Sequence, residues 1–327
     1  MDSVKCEALL TAAEQGSLTR AGEILGYTQS GITRMIRSLE QETGFPMLIR
    51  TQYGVRLTAD GKAMLPALHN IVKAQQIAAE QGAAIRGVIQ GSLNIGSYYS
   101  VSAAWLPKVL RVYRQKYPQV KIHLREGTNL DLSAWLNEGS IDCSLSARPT
   151  KGTVYDWIPL ARDELFVWLP PTHAAASRSD FPIPELDHAP FIITLPEHDT
   201  DIDRFLQNHQ IQPDIQFTTA DPYTTYCMVE GGLGLSLNND LTTKNWTGRV
   251  VTRPFRPRQY IELGIAVPHM KDASPAARKF IACAVQLLSA GEQPDNDASC
   301  MRGKSFFAKR HHAGLEIERQ IEEVLLW

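Results

Sequence analysis

Residues 17–44, SLTRAGEILGYTQSGITRMIRSLEQETG, decide the fold of the N-terminal part of the chain. Ser17 and Thr28 are of the type that caps helix N-termini, and Gly26 and Gly44 are of the type that ends helices. Because apolar residues recur at helical spacing between these signals, the stretch predicts two helices joined by a short turn at Gly26. The positions expected to face inward are Leu18, Ala21, Ile24 and Leu25 in the first helix and Ile32, Met35, Ile36 and Leu39 in the second.

The other face of the second helix carries hydrogen-bonding and cationic side chains. They are Gln29, Ser30, Thr33, Arg34 and Arg37. Gln pairs well with adenine, Arg pairs with guanine or phosphate, and Ser and Thr contact bases or phosphates. Such a face could also be the solvated side of a surface helix. The short turn and the helix before it favour a helix-turn-helix whose second helix enters the major groove of DNA.

Elements on both sides of this pair complete a small domain. Residues 4–14 show helical spacing of apolar residues, which Gly16 interrupts. Residues 47–58, MLIRTQYGVRLT, contain two short apolar runs around a Gly-containing turn, a pattern typical of a β-hairpin. Arg50 and Arg56 lie on the arms of this hairpin, where they could reach phosphates or the minor groove.

Residues 12–65 resemble the winged helix-turn-helix of LysR-type transcriptional regulators, without a gap. The motifs that carry the resemblance are Gly16-Ser17-Leu18-Thr19, Gln29-Ser30, Ile36 with Leu39 and Glu40, and Leu57-Thr58-x-x-Gly61. The chain departs from the family where Ser30 replaces a frequent Pro and where Met47-Leu48-Ile49-Arg50 replaces Leu-Phe-x-Arg. The resemblance implies a DNA interface made of Thr28, Gln29, Ser30, Thr33, Arg34, Arg37, Arg50 and Arg56.

A long helix follows the hairpin. Thr58 is a suitable N-cap, and residues 59–85 continue with helical spacing. Alternating steps of four and three residues, the spacing of a seam between two helices, connect Met64, Leu68, Ile71, Gln75, Ala78, Gly82 and Ile85. Pairing with a second subunit would cover this seam, and packing against the chain's own C-terminal domain is the alternative. In the resembled family, this segment is the dimerisation helix.

Alternating strand and helix patterns fill residues 92–289. The first set, a βαβαβ order over residues 92–146, predicts a parallel sheet covered by helices. A second set ends with a strand at 260–267 and a helix that returns to the first set. These patterns predict two α/β lobes, joined by crossovers at 159–164 and 261–268, with a ligand cleft between them.

Polar residues follow the predicted strand ends, where ligands of open α/β sheets bind. The candidate effector-binding residues are Ser97, Tyr98, Ser100, Thr128, Arg148 and Thr194. Their chemistry suits a small anion or a polar metabolite. The serines could instead be helix caps, Tyr98 could be lobe packing, and Arg148 could point to solvent. Short signatures near 106–107, 126–127, 139–142 and 229–234 resemble the effector domain of LysR-type regulators, in which Ser100 and Thr128 would contact the inducer.

Composition narrows the classes of function. The 327 residues include 33 Lys and Arg against 35 Asp and Glu, a formal net charge of −2 that excludes a generic polycation. Apolar runs stay well short of the roughly 18–20 residues that span a bilayer, and we see no secretory signal, so we expect a cytoplasmic protein without membrane contacts. The five cysteines are scattered without a CxxC pair, which indicates neither a zinc site nor a disulfide framework.

Motifs of common enzyme classes are missing from the sequence, so we expect no catalytic residues, no metal site and no cofactor other than a small-molecule inducer. Cys227 could be imagined as a nucleophile, but we expect a buried structural thiol. His311 and His312 could suggest a metal or phosphate site, and we expect them to be solvated.

The sequence therefore predicts an α/β protein with an N-terminal all-α winged helix-turn-helix at 1–58. A linker and dimerisation helix with its hinge follows at 59–88, a two-lobed, periplasmic-binding-protein-like effector domain at 89–290, and a tail of unknown role at 291–327. The expected function is transcription regulation by a homodimer or homotetramer that reads an interrupted inverted repeat in double-stranded DNA, with RNA polymerase as a further candidate partner. The alternative is a solute-binding or small-molecule-converting α/β protein with an N-terminal dimerisation domain.

Overall fold

A computed structural model describes residues 1–149, 155–244 and 246–289. The predicted tail at 291–327, including His311 and His312, lies outside the described residues. Among the described helices, each is too short or too polar to cross a bilayer.

The N-terminal part is a winged helix-turn-helix. Its helices are α1 (Ser3–Gln15), α2 (Leu18–Leu25) and α3 (Gln29–Thr43), and its hairpin strands are β1 (Leu48–Thr51) and β2 (Gly54–Leu57). The predicted caps are confirmed, since the Ser17 hydroxyl accepts from Arg20 N and the Thr28 hydroxyl accepts from Gly31 N. Leu18, Ala21, Ile32, Ile36 and Leu39 are buried, as predicted.

Ile24 departs from the predicted core of this domain. Its side chain is 58% exposed, whereas Gly22, two positions earlier, is buried at the crossing of α2 and the turn. A Cβ on Gly22 would come within 2.6 Å of Tyr27 O, so the turn passes over the helix at that point. The close approach of the turn, and not the apolar pattern, fixes which side of α2 faces inward.

Helix α4 spans Ala59–Ile85, the predicted range, with Thr58 as its N-cap. The chain itself covers part of the predicted seam. Leu68 is buried in the core of the winged domain, with Met64, Ile71 and Val72 packed against it. In the second half of the helix, Glu80 and Ala83 are buried.

The large C-terminal part forms two lobes. The first-lobe elements are β3 (Gly91–Ser97), α5 (Tyr99–Ala104), α6 (Leu106–Lys116), β4 (Val120–Glu126), α7 (Asn129–Glu138), β5 (Cys143–Ala147) and the first half of β6 (Asp156–Leu169). The second lobe contains β7 (Phe181–Pro182), β8 (Pro190–Thr194), α8 (Asp201–His209), β9 (Asp214–Thr219), α9 (Pro222–Glu230), β10 (Ser236–Asn239), α10 (Asp240–Thr243) and β11 (Val251–Arg256). Strand β12 (Tyr260–Val267) and helix α11 (Pro275–Ser289) return to the first lobe. The predicted single helix after β3 is divided at Trp105 into α5 and α6.

The parallel arrangement predicted for residues 92–146 is confirmed, and the sheet as a whole is mixed. Within the described residues its order is β4-β3-β5-β12-β6-β11-β7, with β10 also paired to β6. Strands β3, β4 and β5 are parallel, but β12 runs antiparallel to both β5 and β6. The reason is topological, because β12 enters the sheet on the return path from the second lobe. Its register, from Tyr260 opposite Glu164 to Val267 opposite Asp156, pairs the two predicted crossovers directly with each other.

Candidate nucleic-acid interface and effector cleft

Helix α3 lies at the surface, with its polar face outward. Ile32, Ile36 and Leu39 fix the opposite face in the core of the winged domain. The face turned to solvent contains the exposed residues Thr28, Gln29, Ser30, Arg34 and Arg37, and Thr33 is half-buried beside them. Within the described residues, Arg34 and Arg37 form no ion pair, so both guanidinium groups are available to a ligand.

The hairpin lies beside α3 and extends this polar surface. Arg50 Nη2 donates to the Thr33 hydroxyl across 3.3 Å, which joins the β1 arm to the helix. A shallow pocket between helix and hairpin is lined by residues that include Arg37, Arg50 and Glu40. Glu40 accepts from Met47 N and Leu48 N, at 2.7 and 3.1 Å, and thereby holds the start of β1 against α3. Two cations, Arg37 and Arg50, therefore border this pocket together with the Glu40 carboxylate and apolar side chains.

Two hydroxyls of the predicted interface serve the helix itself. The Thr28 hydroxyl caps α3 and lies 3.1 Å from the Ser30 hydroxyl, while Thr33 Oγ1 donates to Gln29 O at 2.9 Å. Arg56 is exposed on β2. Tyr53 is not among the predicted interface residues, but its side chain is 83% exposed at the tip of the hairpin. An aromatic residue directly before the turn glycine Gly54 is a pattern that could have indicated this exposed position.

The predicted effector residues lie at strand ends and helix starts in both lobes. Ser97 is fully buried and donates to Tyr98 O at 3.2 Å, and Ser100 is buried at the start of α5. The Thr128 hydroxyl closes a capping box with Asp131 at the start of α7. The Thr194 hydroxyl lies 2.6 Å from the Thr225 hydroxyl at the end of β8.

Arg148 contributes to this region through its backbone. Its side chain is 64% exposed and lies 3.7 Å from Glu262, whereas its carbonyl oxygen accepts from Arg204 Nη1 at 3.0 Å. Arg204 also pairs with both carboxylate oxygens of Asp199 at 2.8 and 2.6 Å. Asn129 of the first lobe donates to Asp199 O. Arg204, Asp199 and Asn129, none of which the sequence singled out, therefore join the two lobes.

Three half-buried ionisable side chains, Tyr98, Asp163 and Asp201, lie near this junction. The Tyr98 hydroxyl is buried without a hydrogen-bond partner among the described residues, and burial raises its pKa well above the usual range, with Asp201 adding to the rise. Burial also raises the pKa of Asp201 to about 6, although the Arg204 guanidinium opposes the rise. Burial likewise raises the pKa of Asp163, on β6, to about 6. Two carboxyl groups near the lobe junction therefore have pKa values raised to about 6.

This chemistry gives a stability prediction for Asp201→Asn. Because the pKa of Asp201 is higher in the folded than in the unfolded protein, the folded protein binds the carboxyl proton more tightly. Protonation of Asp201 therefore stabilises the folded state fully below about pH 4, and this stabilisation is lost as pH rises through about 6. Asn does not titrate. We expect the free energy of unfolding of the variant, relative to the parent, to rise by about 1–3 kcal/mol between pH 4 and pH 7.

Chemical denaturation of the full chain at the two pH values measures this difference. The matched control is Glu7→Gln, which removes an exposed carboxylate on α1. A parent and an Asp201→Asn variant whose stabilities stay parallel from pH 4 to pH 7 would contradict the buried-carboxyl description.

Cys227 departs from its predicted position. Its thiol is exposed on α9, whereas Cys6, Cys143 and Cys283 are buried. The apolar side of α9 is formed instead by Tyr226 and Val229, which pack with Trp168. Within the described part of the chain, there is no group of three or more His, Cys, Asp and Glu side chains that could hold a metal ion.

Comparison with protein families identifies both parts of the chain. Residues 5–62 match the bacterial regulatory helix-turn-helix protein, lysR family, and residues 86–289 match the LysR substrate binding domain. The uncharacterized HTH-type transcriptional regulator YvbU of Bacillus subtilis is 32% identical, over 89% of this chain and 100% of its own length. The Hca operon transcriptional activator HcaR of Escherichia coli is 27% identical, over 86% of this chain and 96% of its own.

Solved structures show the same fold. Full-length OxyR C199D from Pseudomonas aeruginosa superposes with a TM-score of 0.71 at 21% identity, covering 90% of this chain and 99% of its own. Full-length CbnR complexed with its target DNA gives a TM-score of 0.60 at 18% identity, covering 89% of this chain and 100% of its own. With family matches over the winged domain and over most of the remainder, the chain belongs to the LysR family of helix-turn-helix transcriptional regulators.

Proposed function

We propose that the protein regulates transcription by binding a specific DNA sequence through α3. The observation that carries this proposal is the outward face of α3, where Gln29, Arg34 and Arg37 are exposed on a helix fixed from behind by three buried residues. Gln and Arg are the side chains that read adenine and guanine edges in the major groove. The CbnR structure, solved with its target DNA, shows that a chain of this fold can bind a duplex.

The hairpin supplies the backbone contacts in this proposal. Arg50 and Arg37 border the same pocket beside α3, and Arg56 is exposed on the neighbouring strand. Cations on both sides of the reading helix would neutralise phosphates and hold the helix in register. The chain as a whole is slightly acidic, so this local basic surface gives the winged domain its attraction to DNA.

A gel-shift titration against the DNA that flanks the protein's own gene tests the proposal. We expect a sequence-selective shift whose affinity falls steeply as salt rises from about 50 to 200 mM, because phosphate contacts release counterions. An unrelated duplex of equal length is the control. A solute-binding or small-molecule-converting protein, the alternative function, would shift neither duplex selectively.

We further propose that the protein acts as a homo-oligomer paired along α4. The seam residues divide into two groups: Met64, Leu68 and Ile71 pack near or in the winged-domain core, while the second half of the seam remains uncovered by its own chain. Ile85 is 88% exposed, and Ala78 is exposed. A second copy would bury this small-residue face and place two α3 helices on one side of a duplex.

Ala78→Asp tests this pairing. The substitution would place two like charges across a close helix contact, and we expect it to raise the dimer dissociation constant at least tenfold and to weaken specific DNA binding. Gln76→Asp is the matched control, because Gln76 is exposed on α4 away from the seam. Sedimentation at micromolar concentration measures both variants, and equal dimer fractions would contradict the α4 pairing.

We propose that the junction between the lobes binds a small polar effector that changes DNA affinity. The support comes from the residues collected there, which include the buried Tyr98 hydroxyl, Ser100, Asn129 and the titrating carboxyls of Asp163 and Asp201. Binding at this junction would alter how the lobes sit against each other and thereby shift the population of DNA-competent states. The proposal includes no catalytic step and no cofactor besides the effector, and it places the protein with the DNA in the cytoplasm.

In this proposal, residues 1–58 bind DNA, 59–88 connect and pair subunits, and 89–290 respond to the effector. RNA polymerase is a further candidate partner of such a regulator.

A further inference from the structure

Residues 195–200 connect the end of β8 to the start of α8 with a strained backbone. Leu195, Glu197 and Asp199 have φ values of +48°, +65° and +53°, in the left-handed region that residues with a side chain rarely adopt. Such a conformation persists where the surrounding contacts fix it. The loop ends at Thr200, whose hydroxyl caps α8. Asp199, the last of the three strained residues, therefore lies directly before the helix, and its contacts hold the loop.

Asp199 binds the guanidinium group of Arg204, in the first turns of α8. Arg204 Nε donates to Asp199 Oδ1 at 2.8 Å, and Arg204 Nη2 donates to Asp199 Oδ2 at 2.6 Å. Two parallel N–H···O bonds of this kind fix the plane of the guanidinium group as well as its position. The two side chains are only 22% and 27% exposed. The carboxylate therefore sets the direction of the third nitrogen, Nη1, which remains for a different acceptor.

That acceptor belongs to the first lobe. Arg204 Nη1 donates to Arg148 O at 3.0 Å, and Arg148 directly follows β5. The N–H of Arg148 donates to Glu262 O on β12 at 3.0 Å, so the first-lobe sheet fixes this part of the backbone. Asn129, the first residue of α7, is 5% exposed and donates to Asp199 O. Two neighbouring points of the second lobe therefore contact the first lobe at the end of β5 and at the start of α7.

A separate contact connects the lobes beside their crossovers. Asn239, at the end of β10, donates to Asp163 on β6, the strand that continues from one lobe into the other. Because β10 is paired with β6, strand pairing already brings these two residues together. Among the described residues, β8 and β9 form a two-stranded sheet of their own. The position of the loop after β8 relative to the first lobe therefore depends on side-chain contacts.

We propose that Asp199, Arg204 and Asn129 form a latch that holds the second lobe against the first in the absence of an effector. Asp199 is a positioning residue that directs Arg204 Nη1 to Arg148 O, and Asn129 holds the backbone of Asp199 in its left-handed conformation. The inference deepens the proposed function and rests on it for its biological meaning. An effector at the junction would change the arrangement of the lobes by shifting the population of latched molecules.

Distance measurement between two spin labels tests the latch without DNA or effector. One label is attached to the native Cys227, exposed on α9 of the second lobe, and the other to Gln115→Cys, exposed on α6 of the first lobe, in a Cys300→Ser background. An excess of unlabelled chain keeps each measured pair within one subunit. We expect a narrow distance distribution in the parent and one about twice as wide in Asp199→Ala, because the lobes then sample unlatched arrangements.

Acetate separates the positioning role of Asp199 from a merely structural one. Asp199→Ala removes the carboxylate from the Arg204 guanidinium group, and acetate can take its place. We expect about 100 mM acetate to narrow the distribution of this variant towards that of the parent, and the same concentration of uncharged acetamide to leave it broad. Arg204→Ala should stay broad with either compound, because it lacks the group that acetate binds. A distribution that acetate does not narrow would remove the positioning role.

Arg178→Ala is the matched control for the interlobe distance. Arg178 pairs with Glu185 inside the second lobe, so we expect this variant to keep the narrow distribution. A second label pair, Cys227 with Gln207→Cys on α8, reports whether α8 itself stays in place. We expect this second distance to be the same in all variants. A change in it would assign the broadening to α8 and would contradict the latch.

If Asp199→Ala does not fold, Asn129→Ala must broaden the interlobe distribution. A broad distribution in the parent, or an unchanged one in both Asp199→Ala and Arg204→Ala, would overturn the proposal. These measurements require no DNA binding, so loss of the latch and failure of the proposed function remain separate results.

Discussion

Replacing Arg34 by Ala lowers affinity for the specific DNA site by about 5- to 150-fold, because a bidentate contact to a base is worth roughly 1–3 kcal/mol. Arg34 is exposed on α3 and forms no ion pair within the described residues, so its removal leaves the protein's own packing intact. Gln29→Ala, at the first position of the same helix, is expected to have an effect in the same range. Affinity for unrelated DNA should change much less for Gln29→Ala, since Gln carries no charge to phosphates.

Footprint titration measures the two variants, with oligomer mass and thermal unfolding checked in parallel. Arg111→Ala is the matched control, because Arg111 is an exposed arginine on α6, in the first lobe. We expect that control to bind like the parent. Undiminished affinity in both the Arg34 and Gln29 variants would remove α3 from the interface.

Gly61→Ala has the second large effect, although it adds only one methyl group. A Cβ on Gly61 would overlap Met47 O and come within 3.0 Å of Met47 C and 3.1 Å of Leu57 Cδ2. These atoms belong to the hairpin, and Met47 is fully buried in the winged-domain core. Either the hairpin or α4 must move, so we expect destabilisation of about 2 kcal/mol or more, within the 1–3 kcal/mol typical of overpacking.

Gly82→Ala is the control on the same helix, because within its own chain a Cβ there would meet only Arg86 Nη1 at 3.8 Å. Since Gly82 is a residue of the proposed seam, the two variants are compared at a protein concentration at which their oligomer masses are equal. Ala is favoured over Gly within helices, so this variant should equal the parent or exceed it by up to about 1 kcal/mol. Chemical denaturation, followed by a signal from the winged domain, compares the free energies of unfolding of Gly61→Ala and Gly82→Ala. If Gly61→Ala unfolds at the same denaturant concentration as the parent, the close contact between α4 and the hairpin is wrong.

Local features of the winged domain could be predicted from the sequence because they depend on neighbours along the chain. Ser17, Thr28 and Thr58 are followed by helices that their hydroxyls cap, and α4 has its predicted bounds. Gly61 belongs to a motif of the sequence, but the motif does not explain why a glycine is needed there. A Cβ at this position would overlap the carbonyl oxygen of Met47, which only folding brings against α4.

Long-range contacts could not be predicted in the same way. Helical spacing predicted one seam on α4, but Lys73 and Glu80 lie on a second face of the helix. Lys73 pairs with Asp142, which is distant in the sequence, and Glu80 accepts from Ser92, which follows the turn after α4. The apolar pattern of the strand at 260–267 does not distinguish it from the parallel strands, although it enters the sheet from the second lobe and is antiparallel to β5. In the cleft, Ser97 and Thr128 were selected by type, whereas Arg204 became visible only through its contact with Arg148 O.

Hydroxyl-radical footprinting of the parent protein on its own upstream DNA tests most directly whether paired α3 helices read a duplex. We predict two protected segments on one face of the DNA, their centres separated by a whole number of turns of about 10.5 base pairs. Protection should disappear in Arg34→Ala at the same protein concentration. A single protected segment, or uniform protection that Arg34→Ala leaves unchanged, would contradict the account.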